Sequence, residues 1–431
     1  MNNKVITRFP PSPTGYFHIG RARTALFNYL FARQHGGQMI FRIEDTDQQR
    51  SKKEFEIDLI EGLKWLGLSW DNPEIPRQSA RTDRYRDELA KLLAAGQAYV
   101  SREKHEETGV ESEVVRLKNP NRQITFTDLI RGEITFDTTE LGDFIIARSI
   151  TDPLYHLTVV VDDFDMGITH VIRGEDGISN TPRQILIQEA IGAPRPIYAH
   201  LPFILERDRS KMSGRHGAVS VRDYRERGYL PEALINYLAL LGWHPEDDQE
   251  VFTLEDLVTA FQLTRVQKGG AIFDLEKLNW LNREHLKRKT DAELITLIAP
   301  RWPEASAELI QRALPELRSR LTTLADIDQM VAGGELDFYV HPPAPSRELL
   351  RSTAHLGQLV LLLDAVPDNE FTADKVKAAV WDFATAEGRG IVLWPFRVAL
   401  SGREKSPDPF AIAAVLGKNE TIKRLTHAAT L

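Results

Sequence analysis

Two short stretches carry residue types suited to polyphosphate. The first is Pro11-Ser-Pro-Thr-Gly15, followed closely by His18-Ile-Gly20. A histidine and a glycine at a helix start suit phosphate: the first turn offers free backbone N–H groups and partial positive charge, and glycine lets an anion come close. An imidazole there adds a donor to phosphate oxygens as charge develops on them. The second stretch is Arg209-Ser-Lys-Met-Ser-Gly-Arg-His-Gly217, whose cations and glycines suit a loop that closes on polyphosphate. Singly, each has an ordinary structural reading, a capped loop for one and a solvated basic loop for the other. The two together, about 190 residues apart in one chain, are far more specific.

The elements that must position them follow from periodicity and punctuation. Residues 4–9 read as a short buried strand. A helix begins near Gly20, with Ala22, Ala25, Leu26, Tyr29 and Leu30 at three- and four-residue spacing, and Gly36-Gly37 ends it. Residues 39–43 read as a second strand, running into Glu44-Asp45-Thr46-Asp47. This is one right-handed βαβ unit, and such units bind ligands beyond the carboxyl ends of their strands, where both polar loops lie. A helix is expected over 55–66. Residues 79–152 then read as an insertion, with a helix over 82–95, a charged stretch over 101–113 and β-rich pieces at 124–126 and 134–136. Sheet strands are expected again at 158–161, 169–173 and 197–205. Asn180-Thr-Pro182 is read as the cap and first turn of a helix reaching Gly192. From about Asp223 the pattern is mainly helical, with 342–345 a surface loop.

Composition sets the outer bounds. A chain of 431 residues is long enough for roughly two to three domains. With 42% hydrophobic and 27% charged residues it is a folded protein rather than a disordered one. Its 54 cations against 62 anions, a net charge of −8, weigh against a generic nucleic-acid coat protein but leave room for a local basic face. Arg283, Lys287, Arg288 and Lys289, and separately Arg312, Arg318 and Arg320, are the candidates for such a face. The absence of cysteine excludes disulfides, thiolate zinc, iron–sulfur clusters and a cysteine nucleophile. Residues 1–9 hold no apolar signal core, and no stretch approaches the ~18–20 apolar residues of a spanning helix, so a soluble, cytoplasmic protein is expected.

At this point the sequence resembles a known family, the glutamyl branch of the class I aminoacyl-tRNA synthetases. The resemblance runs through Arg8-Phe-Pro-Pro-Ser-Pro-Thr-Gly15, His18-Ile-Gly-Arg-Ala-Arg-Thr-Ala-Leu-Phe-Asn28, Arg42-Ile-Glu-Asp-Thr-Asp47, Val160-Val-Asp-Asp163, Val171-Ile-Arg-Gly-Glu-Asp176 and Ser179-Asn-Thr-Pro-Arg-Gln184. It continues in Asn236-Tyr-Leu-Ala-Leu-Leu-Gly242 and Phe273-Asp-Leu-Glu-Lys-Leu-Asn-Trp-Leu-Asn282, and reaches Leu393-Trp-Pro-Phe-Arg-Val-Ala-Leu-Ser-Gly402 near the end. It implies an α/β Rossmann-type catalytic domain with an α+β insertion, followed by an all-α C-terminal anticodon-binding domain. The implied boundaries are 1–78 and 153–222 for the two catalytic halves, 79–152 for the acceptor-binding insertion, 223–290 for a stem-contact helical segment and 291–431 for the anticodon-binding domain.

The resemblance implies ATP-dependent activation of L-glutamate and its esterification to the 3′ end of tRNA-Glu, with tRNA-Gln as a second candidate acceptor. By it, His18, Gly20, Lys211 and Arg215 are catalytic, and Pro11, Thr14, His18, Gly20, Lys211, Met212 and Ser213 bind ATP. Arg8, Ser12, Glu44, Tyr155 and Arg173 match positions that hold glutamate. The chemistry agrees: guanidinium forks match a carboxylate, Glu44 suits an ammonium, and glutamine would leave buried arginine charge unpaired. Mg²⁺ is expected only with ATP, and no structural zinc, since the Cys/His site of many bacterial members cannot be built from His105 alone in a cysteine-free insertion. A monomer is expected. The branch's fourth position of the first signature varies, and here it is Arg21. One departure stands out: Gly214 replaces the second lysine of the second signature, where losing one donor costs ~3–4 kcal/mol in the transition state. Arg209 and Arg215 are the candidates to compensate. Two rivals are a catalytically weak tRNA-binding paralogue and a glutamyl-queuosine tRNA synthetase-like enzyme; the second lacks a C-terminal half, which this chain has. A small nucleotidyltransferase fails on the same half.

Overall fold

The computed structural model describes residues 4–104, 111–212 and 219–431. The chain divides into two compact units, Met1–Glu226 with Leu230–Leu281, and Arg227–Tyr229 with Asn282–Leu431.

The first unit starts with β1 (Ile6–Phe9), α1 (Ile19–Gln34) and β2 (Gln38–Phe41), the strands parallel with Arg8 opposite Ile40. Ala22, Ala25, Leu26 and Leu30 are buried on α1 as their spacing predicts and Tyr29 is half-buried, but Arg23, Phe27, Asn28, Phe31 and Ala32 are buried as well, so the helix packs on most of its faces rather than along one stripe. The glycine at 37 is needed for close approach, since a Cβ there would collide with the Val5 carbonyl. Next come α2 (Lys53–Trp65) and α3 (Thr82–Ala94). Six strands follow: β3 (Ala98–Lys104), β4 (Glu111–Leu117), β5 (Gln123–Asp128), β6 (Gly132–Asp137), β7 (Phe144–Ser149) and β8 (Asp152–Pro153). β3, β4, β7 and β8 make one antiparallel sheet in that order.

Residues 158–161, expected to form a strand, instead lie inside a helix, α4 (Tyr155–Asp165). Every residue from Leu157 to Asp163 is buried, so the run has no polar face from which its period could be read. The β-branched composition suggested a strand, and packing overrode it. β9 (His170–Gly174) follows, then α5 (Thr181–Ile191) with Pro182 in its first turn, β10 (Ile197–Leu201) and β11 (Ile204–Leu205). The strand expected over 197–205 is thus two pieces, broken at Pro202, which has no N–H to donate.

β9 and β10 run parallel, and β1 is tied beside β9: the Thr169 N–H donates to the Ile6 carbonyl at 2.9 Å, and the Ile6 N–H to Thr169 Oγ1 at 2.8 Å. The β5–β6 hairpin, read from sequence as part of an insertion, joins this same sheet in the order β6-β5-β10-β9. β5 runs parallel to β10 at Tyr198 and Asp128, which brings an acidic residue under the site. The unit continues with α6 (Val221–Glu226), α7 (Pro231–Leu240), α8 (Leu254–Ala260) and β12 (Ala271–Ile272), which pairs with β11; α9 (Leu275–Arg288) runs past its end.

The second unit is helical among its described residues. Its elements are α10 (Asp291–Ile298), α11 (Ala307–Arg320), α12 (Ala325–Ala332), α13 (Asp337–Val340), α14 (Arg347–Leu350), α15 (Leu356–Asp364), α16 (Ala373–Glu387), α17 (Arg389–Ser401), α18 (Pro409–Leu416) and α19 (Lys418–Ala429). Leu359, Leu363, Val380, Phe396 and Leu425 are among its fully buried side chains. Arg424 is buried too, its Nη1 donating to the carbonyls of Phe338 at 2.6 Å and Leu400 at 2.8 Å, which ties α19 to α13 and α17. The loop at 342–345 connects α13 and α14.

Candidate active site

A cavity of about 770 Å³ opens in the first unit at the carboxyl ends of β1 and β9. Arg8, Ser12, Glu44, Tyr155 and Arg173 all line it. So do Pro11, Thr14, His18, Gly20, Lys211 and Met212. The structure therefore brings together every described residue named for the site from sequence. Ser213, Gly214 and Arg215 lie outside the described residues, as does His105.

At the phosphate-suited end, His18 is the N-cap of α1. Its backbone is extended, and its Nδ1 accepts the Gly20 N–H at 3.0 Å. That bond leaves the imidazole proton on Nε2, free to donate. A Cβ on Gly20 would stand 3.3 Å from Nδ1 and crowd the ring. Burial, then Arg21 and Lys211, hold the His18 pKa below its ordinary value, so the ring is neutral at pH 7. Arg21 fixes the preceding loop by donating to the Ser12 carbonyl at 2.9 Å. The second signature is anchored on both sides. Within its described part, Lys211 bridges to Leu205 and Met212 N–H donates to the Ile204 carbonyl at 3.0 Å. After it, Ile19 N–H donates to the Val219 carbonyl at 2.8 Å. The Lys211 ammonium sits 4.3 Å from the centre of the Phe203 ring.

The other end is built on buried charge. Arg42 donates to Glu44 Oε1 at 3.0 Å and to Asp163 Oδ1 at 2.6 Å, and lies 3.7 Å from Asp162. Arg8 shares Asp163, at 3.3 Å from Oδ2. Arg81 takes Asp162 at 2.8 Å, and Tyr85 and Gln78 donate to the same carboxylate. Burial disfavours the Arg42 charge, but Asp163, Glu44 and Asp162 outweigh it and hold its pKa above the ordinary value. Burial likewise works to raise the Asp163 carboxyl, and Arg42 and Arg8 overcome it. Glu44 goes the other way: burial lifts its pKa, and Arg42, shared among three carboxylates, only partly opposes that.

Arg173 is held differently. Its Nε donates to His200 Nε2 at 3.1 Å, Nη1 to Gln184 Oε1 at 2.7 Å, and Nη2 to the Gly177 carbonyl at 2.9 Å and Thr181 Oγ1 at 2.7 Å. All four acceptors are neutral, and burial pushes the Arg173 pKa down. One N–H of Nη1 remains for a ligand, so Arg173 meets one by a single prong and by its charge rather than by a full fork.

The motifs quoted from sequence contained Arg42, Asp162 and Asp163 without assigning them a task; their signal was charge inside apolar runs. Gln184 likewise stood in a quoted motif without a task, while Asp128 and His200 were not singled out at all. The cations suggested for a basic face are largely occupied within the second unit. Arg312 Nε donates to the Val415 carbonyl at 2.7 Å, Arg318 to the Lys289 carbonyl at 2.9 Å and to Asp291 at 2.6 Å, and Arg320 pairs with Glu316 at 3.3 Å. Lys287 pairs with Glu284 and Lys289 with Glu293. These side chains brace helices. Among the described residues no helix is long and apolar enough to cross a membrane.

The family described as tRNA synthetases class I (E and Q), catalytic domain, matches residues 4–113 and 105–280, and an anticodon-binding domain family matches 293–429. The glutamate--tRNA ligase 1 of Acidithiobacillus ferrooxidans is 43% identical, over 99% of each chain. The glutamate--tRNA ligase of Aquifex aeolicus is 41% identical over 98% of each. Among solved structures, a glutamate tRNA ligase from Elizabethkingia meningosepticum, in complex with its amino acid, superposes with a TM-score of 0.84 at 30% identity over 99% of both chains. With likeness of this extent from end to end, the chain belongs to the glutamate--tRNA ligases of the class I tRNA synthetase family.

Proposed function

We propose that the chain activates L-glutamate with ATP to glutamyl-adenylate in this cavity and transfers it to the 3′ end of tRNA-Glu. One observation carries the assignment of the cavity to glutamate. A buried arginine without a contacting carboxylate, Arg173, shares the cavity with Glu44, whose Oε1 is held by Arg42 and whose Oε2 is left for a ligand. A substrate with an anionic side chain and an ammonium matches that pair, and a neutral amide would leave the Arg173 charge unmet.

The roles follow from position. Arg173 and Arg8 meet the side-chain carboxylate, Glu44 meets the ammonium, and Ser12 and Tyr155 line the same end. His18 Nε2–H and the first N–H groups of α1 face the triphosphate beside Gly20, with Pro11, Thr14 and Met212 lining the nucleotide's end. Lys211, with Ser213 and Arg215 of the same signature, supplies cationic and hydroxyl contacts to the phosphates. The glutamate α-carboxylate attacks the α-phosphorus, and pyrophosphate leaves with Mg²⁺, which arrives on ATP. Positioning and electrostatics do this work, and no protein nucleophile is needed. tRNA-Gln is a second candidate acceptor, and the chain acts as a cytoplasmic monomer in this reading.

The test is charging of tRNA-Glu and tRNA-Gln transcripts with labelled glutamate, ATP and Mg²⁺. Charging of tRNA-Glu is expected, and charging of both would define the wider acceptor range. Binding of tRNA with no charging of either overturns the reading in favour of a tRNA-binding paralogue. Gly214→Lys is expected to raise the activation rate, and an unchanged or lower rate counts against a missing donor at that position.

A further inference from the structure

We infer that His200 and Asp128 are positioning residues that set the enzyme's preference for an anionic side chain, by fixing the hydrogen-bond acceptor that aims Arg173. The inference rests on the assignment of Arg173 to the glutamate carboxylate. It draws on three buried groups in a row. Arg173 is 8% exposed, Asp128 1% and His200 0%. Asp128 Oδ2 lies 2.6 Å from His200 Nδ1, and the Arg173 Nε lies 3.1 Å from His200 Nε2. Arg173 can only donate, so Nε2 must accept and the ring proton must sit on Nδ1, pointing at Asp128. Thr181 Oγ1, at 3.3 Å from Nε2 and bonded to the Gly177 carbonyl, completes the surround.

Asp128 is itself fixed. Its Oδ1 accepts the backbone N–H groups of Ile130 and Arg131, each at 2.9 Å, at the turn between β5 and β6. One carboxylate oxygen is therefore spent on the turn and the other on His200. The carboxylate is two residues from Arg173 along the relay and does not touch it. This separation is the point. A carboxylate placed directly on Arg173 would satisfy the cation and remove its demand for an anionic substrate. A neutral imidazole orients it and leaves the charge for the ligand. Gln184, which accepts from Nη1 while its own Nε2 is buried with no hydrogen bond, serves the same end from α5.

The turn makes Asp128→Asn informative. The two backbone N–H groups hold the amide oxygen at the turn, which turns the new NH₂ toward His200 Nδ1. The ring proton must then move to Nε2, where it confronts the Arg173 Nε–H. His200→Asn removes the acceptor outright, because its side chain ends near the Nδ1 position. His200→Gln is the conservative variant, since its oxygen reaches the Nε2 position and needs no tautomer.

Full-length protein is assayed for KM of glutamate, KM of ATP, kcat and the ratio of kcat/KM for glutamate over glutamine, with thermal unfolding measured in parallel. His200→Asn and Asp128→Asn are expected to raise the glutamate KM by about tenfold or more, leave the ATP KM in place and lower the glutamate-over-glutamine ratio. His200→Gln recovers most of the loss, and adding Asp128→Asn to it costs little more. An unchanged glutamate KM in His200→Asn or Asp128→Asn overturns the inference, as does an equal loss in His200→Asn and His200→Gln. If His200→Asn does not fold, Asp128→Asn decides by the same criteria. Failure of the unsubstituted protein to charge any tRNA would instead strike the functional reading beneath it.

Discussion

Arg42 and Arg173 are both buried arginines in the same unit, and their surroundings are opposite. Arg42 is enclosed by Glu44, Asp162 and Asp163, and Arg81 and Arg8 balance what it leaves over. Arg173 is enclosed by an imidazole, an amide, a hydroxyl and a carbonyl. Burial lowers the pKa of Arg173, while the carboxylates around Arg42 lift its pKa in spite of burial. The first arrangement is closed around Arg42, whose charge is answered within the protein by three carboxylates. The second is open, because none of these partners of Arg173 carries a negative charge. A buried cation is thus assigned to structure or to ligand by the charge of its partners, and burial alone does not distinguish the two.

The difference predicts how each can be broken. Arg42→Met leaves Glu44 without its cation and Asp162 and Asp163 with only Arg81 and Arg8, and is expected to lower stability by about 3–5 kcal/mol, read by urea unfolding. Arg173→Gln is expected to cost less stability, because removing an unanswered buried charge offsets the lost hydrogen bonds. Its cost appears in function: kcat/KM for glutamate falls about 10³-fold. Glutamate, which raises the melting temperature of the unsubstituted protein, no longer does so. A larger stability loss in Arg173→Gln than in Arg42→Met would erase the contrast. The phosphate end offers a third, smaller break. His18→Asn keeps an oxygen to accept the Gly20 N–H and so keeps the cap, but it loses the Nε2–H donor. Activation is expected to slow about 10²-fold with unfolding unchanged, and a shifted unfolding midpoint would mean the cap was the residue's main task.

What could be read from the sequence follows the same division. The residues proposed to meet ligand are spread over β1, β9, α4 and two polar loops; the two loops, with Arg8 and Glu44 at their edges, were visible as departures from the apolar pattern. The α1 helix was visible because apolar residues fall at three- and four-residue spacing and two glycines end the run, although the structure buries it on most of its faces. Residues 158–161 were misread because the run Thr-Val-Val-Val is β-branched throughout and imitates a strand. His200 was invisible for a related reason. One polar residue in an apolar strand is more often an ordinary core histidine, and its partner Asp128 lies 72 residues away on a hairpin that looked like an insertion. Only the parallel pairing of β5 with β10 brings them together.

The smallest expected effect tests the open charge most directly. His156 is the second residue of α4, and its Nδ1 is buried without a hydrogen bond. Burial, then Arg183, then Arg173 push its pKa down to about 4. The unfolded chain binds a proton at this histidine below about 6.5, whereas the folded protein refuses it until about pH 4. The unfolded state therefore holds more protons at this site in that window, so this histidine's contribution to stability rises with pH from about 4 to 6.5 and is constant above. His156→Gln should reduce the slope in urea unfolding by this group's share, while His170, which burial also pushes down to about 4, keeps its own. Because an unanswered cation acts at a distance and a paired one does not, Arg173→Gln should raise the His156 pKa, followed by NMR of the ring protons. Saturating glutamate should raise it as well, since the incoming carboxylate answers the same charge. A His156 pKa indifferent to both would mean that the Arg173 charge is already met inside the protein, and the distinction between the closed and the open arginine would fall with it.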